Sequence, residues 1–308
     1  MKHPSYAGRA LGFAALAAVS LVFWWRPLAM TLGLALERDA YTHILLILPL
    51  SAGLIYVGAK CGGGKALRIE DQPSFKGGAV LLALALLMGG YARWGMGRAT
   101  GDVRVWLGMF ALVTWWIGSV VFWFGWRMLR AFALPLCFLF LLAPVPEGVL
   151  NALVRWLQYG SAWTATLLFR AVGEPVQRSG IFVSLAQLNI EVAEECSSIR
   201  SSCLLAITTI VLAQLFLRSW WRKALLIAAA IPLSVAKNGL RIFTIAELGT
   251  RVDPGFLNGR LHHEGGIVFL GIAVAAVVAM LWALRRTELP ISRVSYVSEQ
   301  SRHSSKIE

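Results

Sequence analysis

The sequence predicts an all-α fold: a polytopic bundle of about eight transmembrane helices with one further interfacial or amphipathic helix. Hydrophobic residues make up 57% of the 308 residues and charged residues only 15%, whereas about a quarter of an average soluble domain is charged. Several separate apolar runs approach the roughly 20 residues that a membrane-crossing helix needs. The 29 Lys and Arg outnumber the 16 Asp and Glu, but the polar surface of a soluble nucleic-acid binder is missing, so nucleic-acid partners are excluded.

Eight apolar runs are predicted to cross the lipid bilayer: 10–25, 43–59, 77–92, 104–125, 129–145, 198–217, 222–246 and 266–284. Segment 151–172 is more polar, and an apolar helical stripe runs along it. It is predicted to lie at the membrane interface or to pack inside the bundle. Residues 173–195 are polar, with a short extended piece near 180–183. The membrane domain is expected to cover 1–286, followed by a disordered cytoplasmic tail, 287–308.

The distribution of cations predicts the orientation in the membrane. With eight spans, 16 Lys and Arg fall on the side of the two termini and 10 on the opposite side. Because cytoplasmic loops are enriched in these residues, we expect a multi-pass protein of the cell's inner membrane with both termini in the cytoplasm. The same topology brings Cys196, Arg241 and His262 near the outer face.

Cys196 stands where a polar loop becomes an apolar helix. The positive end of that helix would stabilise a thiolate there, and Arg200, one turn on, can lie on the same face. Cys196 is equally compatible with a small buried apolar role, which free cysteines often have. For Cys203, deeper in the apolar run, the buried role is the better interpretation.

Arg241 and Asn238 are three residues apart, so both project from one helix face. An arginine presents a fork of donors suited to an oxyanion or a carboxylate. The alternative is snorkelling, in which a long cationic side chain near the end of a span reaches the interface. Snorkelling fits Lys237 and Arg251 well, whereas the amide of Asn238 favours an interior, hydrogen-bonded face for Arg241.

His262 and His263 precede the last apolar run, where a histidine can act as a general base or acid near neutral pH. Taken without partners, the two histidines are better interpreted as residues of an ordinary interfacial loop. Glu264 raises a metal alternative, but the second histidine of H-E-x-x-H is absent, so no metal site is predicted. A nucleophilic thiol, an imidazole and a guanidinium are together what acyl transfer through a thioester requires.

These motifs resemble the exosortase/archaeosortase family of integral-membrane cysteine enzymes. The resemblance covers most of the chain and is carried by five segments in order: Asp39-Ala-Tyr-Thr-His43, Pro144-Val-Pro146, Glu195-Cys-Ser-Ser-Ile-Arg-Ser201, Asn238-Gly-Leu-Arg241-Ile and Leu261-His262-x-x-Gly265-Gly. The chain departs from the family pattern at Glu195, where a small residue is usual, at Ser198, where glycine is usual, and at Thr42, where serine is usual.

The resemblance implies Cys196 as the nucleophile, Arg241 as the stabiliser of the transition state and His262 as base or acid. Asn238, Arg200 and His263 would support them, and His263 competes with His262 for its role. The implied substrates are exported, membrane-anchored proteins whose C-terminal sorting signal consists of a short motif, a transmembrane helix and a basic tail. No cofactor is expected.

Two other functions remain open at this point. A metal-dependent intramembrane hydrolase would use His262, His263 and Glu194 or Glu195. A non-enzymatic transporter or scaffold for polysaccharide export would use the same polar residues to line a path or an interface. Chelator sensitivity separates the first from a cysteine enzyme, and the relative reactivity of Cys196 and Cys203 toward thiol reagents separates the second.

Overall fold

The computed structural model describes residues 6–61, 73–95, 101–192, 199–257 and 266–288, which form helices and one small β-sheet. The predicted all-α class is confirmed. The chain divides into two compact units, Met1–Leu153 and Val154–Glu308.

In its described residues, the first unit has six α-helices and the start of a seventh. They are α1 Tyr6–Phe23, α2 Trp25–Glu37, α3 Ile44–Cys61, α4 Phe75–Gly90, α5 Gly101–Ala131, α6 Ala133–Phe138 and α7 Glu147–Ala171, which continues into the second unit. The second unit adds strands β1 Val176–Ser179, β2 Phe182–Leu185 and β3 Asn189–Glu191, and then helices α8 Ile199–Phe216, α9 Trp220–Arg251 and α10 Gly266–Arg286.

Six of the predicted spans are helices long and apolar enough to cross a membrane: Asp39–Lys60, Phe75–Gly95, Gly101–Ala131, Ile199–Phe216, Trp220–Arg251 and Gly266–Arg286. Two further candidates are bent pairs, so the described residues give up to eight spans. One pair is α1 with α2, bent by 74°, and the other is Ala133–Leu142 with α7, bent by 100°.

The chain departs most from a regular helix at Gly125 and within the predicted run 129–145. Helix α5 is interrupted at Gly125, whose φ of 82° is accessible to glycine at little cost, and a second break falls at Phe132. Pro135 then stands in the first turn of α6, where a proline is tolerated. Residues 139–142 form a 3₁₀ turn, and Pro144 and Pro146 prevent the helix from continuing.

Three contacts show that this broken run lies antiparallel to α3. The Phe132 ring is 3.3 Å from where a Cβ on Gly58 would stand. The Ser51 hydroxyl donates to the Pro135 carbonyl at 2.7 Å, and the Tyr41 hydroxyl donates to the Val145 carbonyl at 2.8 Å. The segment 132–145 therefore traverses the same depth as 41–58.

A polar junction ties together three loops of the first unit. Besides the bond from buried Tyr41 to Val145, the Arg38 guanidinium lies 2.6 Å from the Glu147 carboxylate, and the Glu147 amide donates to Asp102 at 2.8 Å. These residues lie in the segments predicted as loops, 26–42, 93–104 and from 144 onward, although Asp102 and Glu147 are in the first turns of α5 and α7 and most of 26–42 is helix α2. The three loops consequently lie on one side of the unit, as the eight-span topology requires.

The β-sheet of the second unit packs on helices α7 and α9. Its strands are antiparallel in the order β1-β2-β3, and the β1–β2 turn contains Gly180 with a φ of 64°. Buried Val183 and Val192 join a core cluster with residues of the two helices: Ala162, Ala165, Phe169, Ile242 and Ala246. The short extended piece predicted near 180–183 belongs to this hairpin.

Helix α7 buries three polar side chains and turns an apolar stripe outward. Gln158, Ser161 and Thr166 are buried, whereas the predicted stripe of Leu153, Trp156, Trp163 and Leu167 is 42–54% exposed. An exposed stripe of large apolar side chains suits lipid rather than water, while the buried face of α7, which also contains Val154, Leu157 and Phe169, packs on the protein.

Helices α8, α9 and α10 form a three-helix bundle that is closed at one end by Glu288. Its core contains Leu205, Ala213, Leu217, Leu226, Ala273, Val277 and Leu281. The Glu288 carboxylate accepts hydrogen bonds from the amides of Arg218 (3.0 Å) and Ser219 (3.1 Å), and the Arg222 guanidinium lies 3.5 Å away. The end of α8, the start of α9 and the end of α10 are thus held together.

Thr287 and Glu288 are the first two residues of the predicted tail, 287–308. Thr287 and Glu288 are hydrogen-bonded to the α8–α9 turn, and residues 289–308 lie outside the described residues. The extent of the membrane domain, 1–286, stays a prediction.

We predict that Glu288→Gln lowers the free energy of unfolding of the purified protein at pH 7 by about 1 kcal/mol. Its melting temperature should fall accordingly. Partial burial favours the neutral acid, but the two amides and Arg222 outweigh it and lower the pKa of Glu288. Because the pKa is lowered in the folded protein, the carboxylate contributes its full stabilisation at pH values above the ordinary glutamate pKa of about 4.3. This stabilisation is lost as the pH falls through the lower folded value.

Thermal unfolding between pH 7 and pH 3 tests this, with the exposed Glu191→Gln on β3 as the matched control. Equal melting temperatures for the two variants at pH 7 would contradict the stabilising role of Glu288.

Candidate functional site

One face of α9 carries a row of buried polar side chains. Lys237 is 6% exposed, Asn238 1% and Arg241 7%, and Ser234 is also buried. Their spacing of three and four residues places them on one side of a helix. Buried charged groups at membrane depth are costly and generally face the interior of a bundle, so this face is the first candidate for a functional site.

The snorkelling interpretation is wrong for Lys237. Its side chain stays inside the unit, and its Nζ donates to the hydroxyl of Ser201, the third residue of α8, which is 7% exposed. Arg251 does lie at the surface, where it pairs with Glu247 at 2.8 Å and with Glu174.

The closed end at Glu288 fixes the level of Arg241 along the bundle. At 1.5 Å per residue, Arg241 lies about 28 Å along α9 from Arg222. By the same rise, Ile199 lies about 27 Å from Leu217, and Gly266 lies about 30 Å from Arg286. The three distances are nearly equal and match the thickness of the hydrocarbon core, about 30 Å. Arg241 is consequently level with the first residues of α8 and α10.

The Lys237–Ser201 contact supports this alignment independently. Measured along their own helices, Lys237 lies about 22 Å and Ser201 about 24 Å from the closed end. Arg241 is one turn beyond Lys237, about 6 Å further along α9, and therefore stands at the level of Ile199, the first residue of α8.

The predicted nucleophile belongs to those leading residues. Cys196 lies outside the described residues, in the segment 193–198, three positions before α8 begins. The segment is entered from Val192, which is fully buried and whose carbonyl accepts a hydrogen bond from Gln158 at 2.8 Å. Arg200, the second residue of α8, is described and is exposed.

The predicted base also precedes a helix of this bundle. His262 and His263 lie outside the described residues, in the segment 258–265, immediately before α10. The last described residues before this segment, Pro254–Leu257, form a short 3₁₀ turn that packs on α9.

Helix α7 approaches the same part of α9 closely. A Cβ on Gly160 would stand 2.9 Å from Cγ1 of Val235, and a Cβ on Gly239 would stand 2.5 Å from the Cβ of Thr164. Gly239 thus allows α7 to pack directly beside Asn238 and Arg241. In this way α7, which carries Gln158, is held against the row of buried polar residues.

Within the described ranges, no three His, Cys, Asp or Glu side chains are grouped as a metal site would need. The residues of the metal alternative, Glu194, Glu195, His262 and His263, all lie outside those ranges.

Comparison with known families agrees with these motifs. A profile of transmembrane exosortases matches residues 24–280. The chain belongs to the transmembrane exosortase family. The match spans both units and includes Cys196, Arg241 and His262. No curated protein and no solved structure matches the chain significantly. The membership confirms the predicted resemblance and a multi-pass membrane protein of exosortase type.

Sequence reasoning missed two contacts of this site. The bond from Gln158 to Val192 joins residues 34 positions apart, and no local pattern indicates it. The inward position of Lys237 could have been predicted from the sequence, because Lys237 is four residues before Arg241 and hence on the same helix face.

We predict that Gly239→Ala destabilises the protein and impairs its activity, because the added methyl group overlaps Thr164. Overpacking of this kind costs about 1–3 kcal/mol. Gly271→Ala in α10 is the matched control, since no atom lies within 4 Å of its added Cβ. Melting temperatures of both variants provide the test, and a Gly239→Ala protein as stable as Gly271→Ala would contradict the close contact.

Proposed function

We propose that this exosortase is a membrane-embedded cysteine protease or transpeptidase that removes C-terminal sorting signals from exported proteins. One observation carries the proposal: buried Arg241 lies level with the starts of α8 and α10. These are the two helices that directly follow Cys196 and His262 in the sequence. A charged donor, a thiol and an imidazole are therefore expected within one region of the second unit.

His262 would first take the proton of the Cys196 thiol, and the resulting thiolate would attack the carbonyl carbon of the scissile peptide. The guanidinium of Arg241 would donate hydrogen bonds to the oxyanion of the tetrahedral intermediate. His262 would then give a proton to the departing amine, so that the C–N bond breaks and a thioester remains on Cys196. An amine or water would attack the thioester and restore the thiol.

The level of Arg241 suits a substrate anchored in the same bilayer. A substrate helix that crosses about 30 Å of hydrocarbon ends at the height where α8 and α10 begin. The peptide that precedes such a helix would therefore meet the proposed site without leaving the membrane surface. The lipid bilayer thus acts as a partner that sets the register between enzyme and substrate.

Substitution of Cys196 and Arg241 tests the mechanism in cells or membranes containing a processed substrate. We expect Cys196→Ala and Cys196→Ser to abolish cleavage and Arg241→Lys to reduce it about 10²-fold or more, since the loss of one oxyanion donor costs that much. Cys203→Ser, deeper in α8, is the matched control and should remain active.

Cleavage by Cys196→Ser at the normal rate, with the protein correctly inserted, would refute the cysteine mechanism. Replacing His262 and His263 one at a time, each by Gln, decides which of them exchanges the proton.

We also propose that the protein lies in the inner membrane with both termini in the cytoplasm and the site at the outer face. The closed end of the second unit is strongly cationic and carries Arg218, Arg222, Lys223, Arg285 and Arg286, as cytoplasmic ends do. A fluorescent reporter fused after residue 308 should be active, and alkaline phosphatase fused after residue 258 should be active as well. The reverse pattern would contradict this orientation.

A further inference from the structure

Lys237 is buried in the second unit although burial of a lysine is costly. It is 6% exposed, and its Nζ donates to the Ser201 hydroxyl. Lysines are almost never fully buried unless they are paired with an acid. Among the described residues, no ion pair involves Lys237.

Two neighbours increase this cost. Arg241 lies one turn further along the same face of α9, and like charges four residues apart repel each other. Ser201 is in the first turn of α8, where the helix dipole is positive and disfavours a cation. Packing alone would be served better by an apolar side chain of similar length, because replacing buried charges by apolar groups is often neutral or stabilising.

The hydrogen bond from Lys237 to Ser201 nevertheless lies at a position that matters for the proposed site. It joins the first turn of α8 to α9 at one turn from Arg241. The chain that leads into this first turn carries Cys196. Near the closed end, Lys223 of α9 also donates to Gln214 of α8, but between these two bonds the described contacts include the apolar cluster of Leu205, Ala213 and Leu226. Such apolar contacts fix the rotation and height of a helix less strictly than a hydrogen bond does.

We propose that Lys237 is a positioning residue of this enzyme: by holding the Ser201 hydroxyl, it fixes the first turn of α8 against α9 and so aligns Cys196 with Arg241. This role rests on the proposed function of Cys196. Lys237 takes no part in the chemistry itself, and it acts through Ser201 and the helix start. A misplacement of about 1 Å at a catalytic group is enough to lower the rate about 10²-fold.

The test separates positioning from a structural contribution. Lys237→Met removes the donor and keeps a long side chain. We expect its kcat for substrate cleavage to fall 10- to 100-fold with an unchanged KM, while its melting temperature is equal to or above that of the wild type. Ser201→Ala should reduce kcat by a similar factor, and the double variant should lose no more than either single variant. Lys237→Arg, which keeps a donor, should retain most of the activity.

Two matched controls accompany these variants. Lys223→Met removes the lysine that donates to Gln214 at the closed end of the bundle. Thr209→Val removes a buried hydroxyl two turns deeper in α8, which donates to Leu205. Both should cleave with the wild-type kcat.

A Lys237→Met protein with wild-type kcat, additive losses in the double variant, or a loss that follows a lowered melting temperature would each overturn the proposal. Cys196→Ala in the same membranes reports on the proposed function separately. If Cys196→Ala still cleaves, the cysteine mechanism fails. If it is inactive while Lys237→Met is fully active, only the role of Lys237 fails.

Discussion

The hydrogen bonds of Glu288 set the geometry of the second unit. A single carboxylate joins the end of α8, the start of α9 and the end of α10. Because helices rise by a constant 1.5 Å per residue, aligning three helices at one end also determines which residues are level at the other. Arg241, the beginning of α8 and the beginning of α10 are brought to one height in this way. The height of Arg241 relative to the first residues of α8 and α10 thus depends on contacts about 28 Å away, at the other end of the bundle.

The same unit distributes its polar groups according to the solvent around it. Helix α7 turns Trp156 and Trp163 outward and keeps Gln158 inside, where the amide holds Val192. In hydrocarbon, every polar group must be satisfied within the protein, so a buried polar side chain can organise the chain around it. Gln158 holds Val192, just before segment 193–198, and Lys237 holds Ser201, just after it.

The sequence was sufficient for the fold class, for six of the spans and for the family. These follow from apolar runs of the right length and from five ordered motifs, all of which are local features. The break at Gly125 falls at the predicted end of the run 104–125, whereas the break at Phe132, inside the run 129–145, was not predicted. Hydropathy averages over a window, and a helix can break within an apolar run while its mean hydropathy stays high.

The contacts of the site were less accessible to sequence reasoning. Lys237 was assigned to the interface because a lysine near the end of a span usually reaches water. Only the position of Ser201 on a different helix shows why this lysine turns inward. Asn238 and Arg241 could be predicted together because they share a helix face, which is a local pattern. The hydrogen bond from Gln158 joins residues 34 positions apart, and no local pattern predicts such a contact.

The polar junction of the first unit has a consequence for biosynthesis. Tyr41 and its acceptor, the Val145 carbonyl, are separated by 104 positions, and Arg38 and Glu147 by 109. A ribosome reaches the second member of each pair only after nearly half of the polypeptide has been made. The polar junction therefore cannot form until residue 147, which follows α1 to α6, has been synthesised.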